Sequence, residues 1–440
     1  MPEDRDSDAR SRWLRQRSIL IVLVLVVLPL VVILLAYLLY VRGPRRLLAA
    51  EIEAIRKAGE PLQLSDMAPP LVPDDRNAAP LYLRAFEILN EVEPAGDTVT
   101  AALEATDPTR LGEEEEAACR GFLARTREAV ILLRDASTRP VCRFPSDSSN
   151  PLTPGAMSFD GFRGASQLLF IDALIALRDG EMRRVEDDVV ACLKLSDSVL
   201  GAPTLLSCMI RVGVALQADR ILRWVIGDPR LDPEACKRLS GEIGRWIGRG
   251  ALERCLLGER SEWLRRFRFL HEDGQDPHGS GETGGASAKS WLAGYARMEG
   301  VNYLRSMARL VGFARRPYYE VGAEMRTLAE GEDFPFYVRI IRIAMPNIVE
   351  VFKSHVVMET SMETLGIALR LNASRGEAGE YPESMQDDRI DPFSGKPYLY
   401  RREGDGFVIY SVGTDVTDDG GQVDQPLAKG KGKEIGLRVK

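Results

Sequence analysis

"IDPFSGKPYLYRREGDGFVIYSVGTDVTDDGG", residues 390–421, is the only part of the chain in which strand composition is clear. "PYLYRR" and "FVIYSV" are rich in aromatic and β-branched residues, and "EGDG" between them supplies glycines for a tight reversal. The pattern predicts a β-hairpin over 397–412. Ahead of it, "DPFSGKP" is a turn series in which Pro392 and Pro397 restrict the backbone and Gly395 can take positive φ. Behind it, "GTDVTDDGG" sets Asp415, Asp418 and Asp419 among glycines, a composition that suits a hard cation taking carboxylate and carbonyl oxygens. A polar loop with aspartate-capped turns fits the same spacing.

Working outward, the region from 44 to about 378 has no alternating strand pattern. Its apolar residues recur at helical spacing. Leu168, Ile171 and Ile175 mark one stripe, Met182, Val185, Val189 and Leu193 the next, and Leu205, Met209, Val212 and Leu216 a third. Tyr318, Val321, Met325 and Leu328 form another, as do Met358, Met362, Leu365 and Leu369. "ALIALRDGEMRRVEDDVVACL" places an Asp-Gly turn between two helices and resembles a tetratricopeptide hairpin. No second copy follows at a fixed period, so an irregular bundle is favoured over a solenoid. Glu113 to Glu116 fit the first turn of a helix, where negative charge complements the dipole.

Between Ile19 and Val41 no charge interrupts the apolar run, and a helix of about 35 Å follows at about 1.5 Å per residue, long enough to span a bilayer. The run ends in Tyr37, Tyr40 and Arg42 rather than a small-residue cleavage site, so an anchor is expected instead of a removed signal peptide. Pro29 predicts a mild kink. Arginines flank both ends, and the signal-anchor arrangement puts the short tail in the cytosol and the large domain outside. The expected order is a cytosolic tail (1–17), a transmembrane helix (18–41), a juxtamembrane helix with Pro-rich linker (42–77) and a helical domain (78–362) with a mobile loop at 271–290. A C-terminal module (363–427) and a basic tail (428–440) complete it.

The 440 residues are 45% hydrophobic and 28% charged, with a net charge of −7. That balance argues against a nucleic-acid partner, which needs concentrated basic surface. Six cysteines (Cys119, Cys142, Cys192, Cys208, Cys236 and Cys255) form no CxxC pair, so neither a zinc nor a redox motif is indicated. His271, Glu272, Asp273 and His278 fall in the glycine-rich loop without the spacing of a helical HExxH. His355 lies on an apolar stripe with Ile348, Phe352, Met358 and Met362, the position of a hydrogen-bonded core histidine. No GxSxG elbow or P-loop occurs, no cysteine has a plausible histidine and aspartate context, and Glu186 and Asp187 are expected on a solvated face. Catalytic residues are therefore not indicated.

Residues 363–421 supply Gly379, Tyr381 and Pro382, then Asp391, Pro392, Phe393, Gly395, Pro397, Tyr398 and Tyr400, then Tyr410, Ser411, Gly413 and Asp415. In that order they resemble the soluble part of the type II secretion major pseudopilin, with its long helix, G-x-YP exit, D-P-[FW]-x-G-x-P-Y-x-Y turn and [YF]-S-x-G-x-D loop. The resemblance implies calcium held at Val412 and Asp415, with Asp418, Asp419 and Asp424 as further acidic candidates. "RQRSILIVLVLVV" lacks the cleavage glycine and following glutamate of a prepilin. The expectation is thus a mainly α, single-pass protein of the bacterial inner membrane with a pseudopilin-like hairpin module. Its outer part would bind or scaffold an envelope partner. Alternatives are an accessory component of a type II secretion or pilus-like system, and an enzyme with a pocket between helices.

Overall fold

A computed structural model describes residues 24–32, 43–92, 96–104, 111–145, 159–248, 250–267, 286–331, 334–335, 338–385, 387–423 and 434–440. The chain is mainly helical with one small antiparallel sheet. Its labelled helices are α1 (Ala79–Glu91), α2 (Asp97–Leu103), α3 (Glu113–Arg125), α4 (Arg127–Thr138), α5 (Phe159–Asp179), α6 (Met182–Ser198) and α7 (Leu205–Val225). They continue with α8 (Pro233–Ile247), α9 (Ala251–Arg266), α10 (Ala286–Ala314), α11 (Tyr318–Glu330) and α12 (Ile340–Ala378). Two compact units divide it: one of Met1–Glu60, Leu264–Ser306 and Phe334–Ile341, the other of Pro61–Trp263, Met307–Asp333 and Arg342–Lys440.

The larger unit is organised on α5. Every residue from Leu168 to Leu177 is buried, so α5 is enclosed by α1, α6 and α7 instead of resting on the single stripe expected for it. A helix that is apolar all round has to be surrounded. Asp172 is nonetheless inside it, and its carboxylate takes Arg134 of α4 and Arg184 of α6, while Arg134 reaches Asp188 of α6 at 2.6 Å. This charged cross fixes three helices relative to one another, because a buried carboxylate without such partners would be costly. Burial pushes the Asp188 carboxyl well above its ordinary range.

Helix starts follow their capping residues. Thr204 accepts the Ser207 N–H at 3.3 Å to open α7, and Asp232 accepts the Ala235 N–H at 2.7 Å with Pro233 behind it to open α8, as N-cap chemistry requires. The acidic run at 113–116 does start α3, and Glu115 accepts the Gly112 N–H at 2.9 Å. Met182, Val185, Val189 and Leu193 are buried as expected. The stripe expected on α7 is not the buried one: Met209 is exposed, and the inward face runs through Cys208, Arg211, Ala215, Ala218, Asp219 and Leu222. Arg211 and Asp219 lie on this buried face, each paired inside the protein.

At the C-terminus, β1 (Leu399–Glu403), β2 (Gly406–Ser411) and β3 (Ile435–Val439) form a sheet in that order, with Leu399 opposite Tyr410 and Phe407 opposite Val439. The hairpin lies where expected. β3 falls within the stretch anticipated as a basic tail, and it makes β2 a central strand. β2 is buried on both faces, with Phe407 and Ile409 in the main helical core and Val408 and Tyr410 against Val423. Arg223 of α7 donates to the Gly436 carbonyl of β3 at 2.6 Å and to Ser361 Oγ of α12 at 2.7 Å. The sheet thus shares one core with the helices.

In the smaller unit, Glu299 of α10 accepts the N–H groups of Arg339 (2.7 Å), Ile340 (3.1 Å) and Ile341 (3.3 Å). These are free donors of the first turn of α12, satisfied by a side chain from another helix. Residues 24–32 are helical and fully apolar on an exposed surface, with Leu25 at 68%. Residues 19–23 and 33–41 of the expected span lie outside the described residues, and among those described no helix is long and apolar enough to cross a membrane. Residues 271–285 of the expected loop likewise lie outside them, whereas 286–290 form the start of α10.

One close approach gives a test. A Cβ on Gly258 of α9 would stand 1.7 Å from the Pro203 carbonyl oxygen, whereas Gly241 of α8 has nothing within 4 Å. Gly258→Ala is expected to lower the free energy of unfolding in urea by at least about 2 kcal/mol through overpacking. Gly241→Ala is expected to raise it by up to about 1 kcal/mol through helix propensity.

Candidate functional site

The C-terminal turn series is built around Asp391. Its buried carboxylate accepts the Phe393 N–H (3.0 Å), Ser394 Oγ (2.8 Å), Ser411 Oγ (2.7 Å) and the Val412 N–H (3.3 Å), tying the "DPFSGKP" turn to the end of β2. Of the expected cation ligands, Asp415 accepts the Thr417 N–H at 3.1 Å. Asp418 accepts Tyr410 Oη and the Gly420 N–H, both at 3.0 Å. The N–H groups of Asp419 (2.7 Å), Gly421 (3.0 Å) and Gln422 converge on Glu434. Asp424 lies outside the described residues. Among the described residues no group of three or more His, Cys, Asp or Glu is arranged to hold a metal. The structure brings Val412 to Asp391 and leaves Asp415, Asp418 and Asp419 in separate local turns. Asp391 and Glu434, absent from the expected set, are the carboxylates that organise this region.

A different cluster lies in the helical body. His355 of α12 is fully buried, as its apolar stripe indicated, and its Nδ1 stands 3.5 Å from Cys208 Sγ on α7. Cys208 thus has a histidine neighbour that its sequence context did not reveal, with a glutamate and not an aspartate behind it. On the opposite ring edge, Nε2 is 3.0 Å from Glu359 Oε1, off the direction of a good hydrogen bond. Cys255 of α9 acts on the Cys208 thiol electrostatically. A thiol, an imidazole and a carboxylate therefore follow one another across α7 and α12.

The electrostatics run in one sense along this row. Cys255 pulls the Cys208 thiol well below its ordinary range against the effect of burial, and His355 adds to that. Cys255 is pushed up by Cys208 and by burial. Burial alone would depress His355, but the Glu359 carboxylate and Cys208 more than offset it and raise the ring to about 9. The lowered Cys208 and the raised His355 both favour the charged form of their groups. Beside them, Arg211 is fully buried; it donates to Asp197 Oδ1 at 3.1 Å and to the Trp246 carbonyl at 2.7 Å, lies 3.6 Å over the indole ring and leaves Nη1 without a partner.

Glu359 connects this row to the surface. It keeps 28% of its side chain exposed and lines a cleft of about 230 Å³ together with Leu252, Tyr318, Phe352, Val356 and Glu363. Glu363 accepts Tyr398 Oη at 2.7 Å, and burial pushes its carboxyl up. Burial pushes Glu359 the same way, but the His355 charge outweighs it and holds that carboxyl below the ordinary range. Two carboxyl groups one helical turn apart thus carry opposite biases, the arrangement that separates an acid from a base. A wider cleft of about 820 Å³ is lined by Arg134, Glu186, Lys194, Arg238 and Glu242. Its charges are already matched, by Arg238 to Glu186 at 2.7 Å and Lys194 to Glu242 at 3.2 Å, and Glu186 is buried there, not solvated.

No known family, curated protein or solved structure matches this chain. The site is accordingly read from its own chemistry. No local motif marks it, since Cys208 and His355 are 147 residues apart. The available signal was a lone histidine on an apolar stripe with a glutamate one turn later.

Replacing Glu359 by Gln removes the group that raises His355, so the ring's titration, followed by NMR, is expected to move down from about 9. Stability should fall by about 2 kcal/mol near pH 6, below the loss seen for a fully buried pair because Glu359 is partly exposed. A folded-state value above the ordinary value of about 6.5 stabilises fully below that pH and not above the folded value. The deficit of Glu359→Gln should therefore shrink as pH rises toward 9.

Proposed function

We propose that the protein is a single-pass membrane-anchored binding or scaffold protein of a bacterial envelope, with residues 1–17 in the cytosol and the helical body outside. The reading is carried by the exposed apolar helix at 24–32, which belongs to an uncharged run from Ile19 to Val41. A contiguous apolar surface of that kind needs lipid or a partner to cover it. The body offers the cleft over Glu359 as its receptor for a small ligand. Its apolar walls of Leu252, Phe352 and Val356 and its two carboxyl groups suit an amphipathic molecule with a cationic or hydrogen-bond-donating end.

The turn built on Asp391 and the hairpin behind it support the pseudopilin-like part of the reading, as a compact element that stiffens the end of α12. Calcium on the Asp415–Asp419 loop belongs to the same resemblance. An accessory role in a type II secretion or pilus-like machine follows from it too, and predicts co-purification with such a machine. An acid–base enzyme is the second reading, favoured by the opposite biases of Glu359 and Glu363 in one cleft.

Membranes from cells making the full chain provide the test. The protein is expected to stay in the pellet through alkaline carbonate washing, and a chain lacking residues 1–42 to appear in the supernatant. Release of the full chain by carbonate would overturn the tether. Millimolar calcium is expected to raise the melting midpoint of the purified protein with increasing concentration; an unchanged midpoint removes calcium from the reading.

A further inference from the structure

α12 begins with an apolar surface left open to solvent. Ile341 and Met345 face the interior, at 3% and 0% exposure, and hold the start of the helix in place. Ile340 and Ile343 are three positions apart and so share one side of the helix. They are 64% and 74% exposed, the same range as Leu25 of the apolar helix at 24–32. Arg339 and Arg342 alternate with them and are exposed as well. Packing of one apolar face accounts for Ile341 and Met345; it leaves a second pair of isoleucines, flanked by cations, on the outside.

Hydrogen bonds lead from this turn back to the membrane tether. Glu299 of α10 accepts the N–H groups of Arg339 (2.7 Å), Ile340 (3.1 Å) and Ile341 (3.3 Å), which fixes the start of α12 on α10. Further along α10, by about 9 Å at about 1.5 Å per residue, Arg305 donates to Glu51 Oε1 at 2.7 Å. Glu51 belongs to a helix at 43–57, which begins directly after the uncharged run ends at Val41. Only about 12 Å of that helix separates Glu51 from Gly43.

We propose that the first turn of α12 is a second membrane contact, in which Ile340 and Ile343 enter the bilayer interface and Arg339 and Arg342 meet the phosphates of anionic lipid headgroups. This contact depends on the tether proposed above. Isoleucine alternating with arginine is what an interfacial helix presents: the apolar side chains reach the acyl boundary, and the guanidinium groups stay at headgroup level on their long stems. Anionic lipid draws such cations to its surface. Two isoleucines are far too small an area for a stable protein interface, which buries about 800 Å² on each partner. A chain already anchored needs no such area, because the tether keeps the second contact at high local concentration and a weak attraction is enough to occupy it. Two points of attachment, unlike one, also restrict rotation about the tether.

Photocrosslinking of the full chain in native membranes tests the contact. A benzophenone amino acid is placed at Ile343 and, for comparison, at Ile131 of α4, which is 58% exposed. After irradiation the tryptic peptides are examined by mass spectrometry for phospholipid adducts, which are expected at position 343 at least tenfold above position 131. In nanodiscs the yield at 343 is expected to be higher with phosphatidylglycerol present than with phosphatidylcholine alone. Arg339→Gln together with Arg342→Gln is expected to abolish that difference without moving the melting midpoint, since both side chains are exposed. Crosslinking of position 343 to protein, a second copy of this chain included, overturns the proposal, and so does a yield indifferent to lipid charge. Absence of adducts at 343 in a chain that withstands carbonate washing overturns this contact alone; release by carbonate removes the tether and the contact with it.

Discussion

A guanidinium with no exposed surface governs this structure. Arg211 projects from α7 into the place where α6, α7 and α8 meet; Asp197 of α6 and the Trp246 carbonyl of α8 take two of its N–H groups, and the Trp246 indole lies against its face. The indole N–H in turn donates to Ser196 Oγ of α6 at 2.7 Å. Bringing a charge out of water costs several kcal/mol, recovered only where geometry supplies an anion, an oriented carbonyl and a π face together. That requirement admits one mutual placement of the three helices. Hydrophobic contacts alone, which are tolerant of rotation, would admit several. The α5 cross of Asp172, Arg134, Arg184 and Asp188 imposes a similar constraint on α4, α5 and α6.

The same device joins the C-terminal sheet to the helices. Asp219 of α7 accepts from Arg223 at 2.7 Å and from Ser361 of α12, and Arg223 continues to the Gly436 carbonyl. A three-stranded sheet of such short strands has little core of its own. β2 acquires one by placing Phe407 and Ile409 among Tyr381, Tyr398 and the helical residues, and β3 is held because a helix side chain binds its backbone. This explains why a segment as polar in its flanks as "KGKGKEIGLRVK" nonetheless ends in a strand: the pairing partner and the arginine are both supplied from elsewhere.

What could be read from the sequence was local. The stripe of Met182, Val185, Val189 and Leu193, the acidic start of α3, the hairpin with its Glu403–Gly406 reversal and the burial of His355 all follow from periodicity and turn chemistry. Several of the failures lie where charged side chains are buried. Arg211 and Asp219 rotate the buried face of α7 away from Met209, Glu186 is buried against Arg238, and Asp391 collects four donors in the core of a turn that its sequence marks only as a turn. Each is compensated by a partner distant along the chain, and pairings of that kind leave no trace in a local window. The row from Cys208 through His355 to Glu359 was invisible for the same reason, since it draws on α7 and α12.

The position of Glu359 gives this row its meaning. A fully enclosed thiol–imidazole pair would be sealed from solvent and would serve packing alone. Glu359 is instead partly exposed, so His355 has a sulfur on one ring nitrogen, in the core, and a carboxylate on the other, in the cleft. Removing the Glu359 charge lowers the ring, because that carboxylate offsets the effect of burial. Occupation of the cleft by a cation would weaken the hold of Glu359 on the ring. The cleft and the Cys208 thiol are for this reason two ends of one electrostatic chain, and chemistry at either end is felt at the other through a single proton on His355.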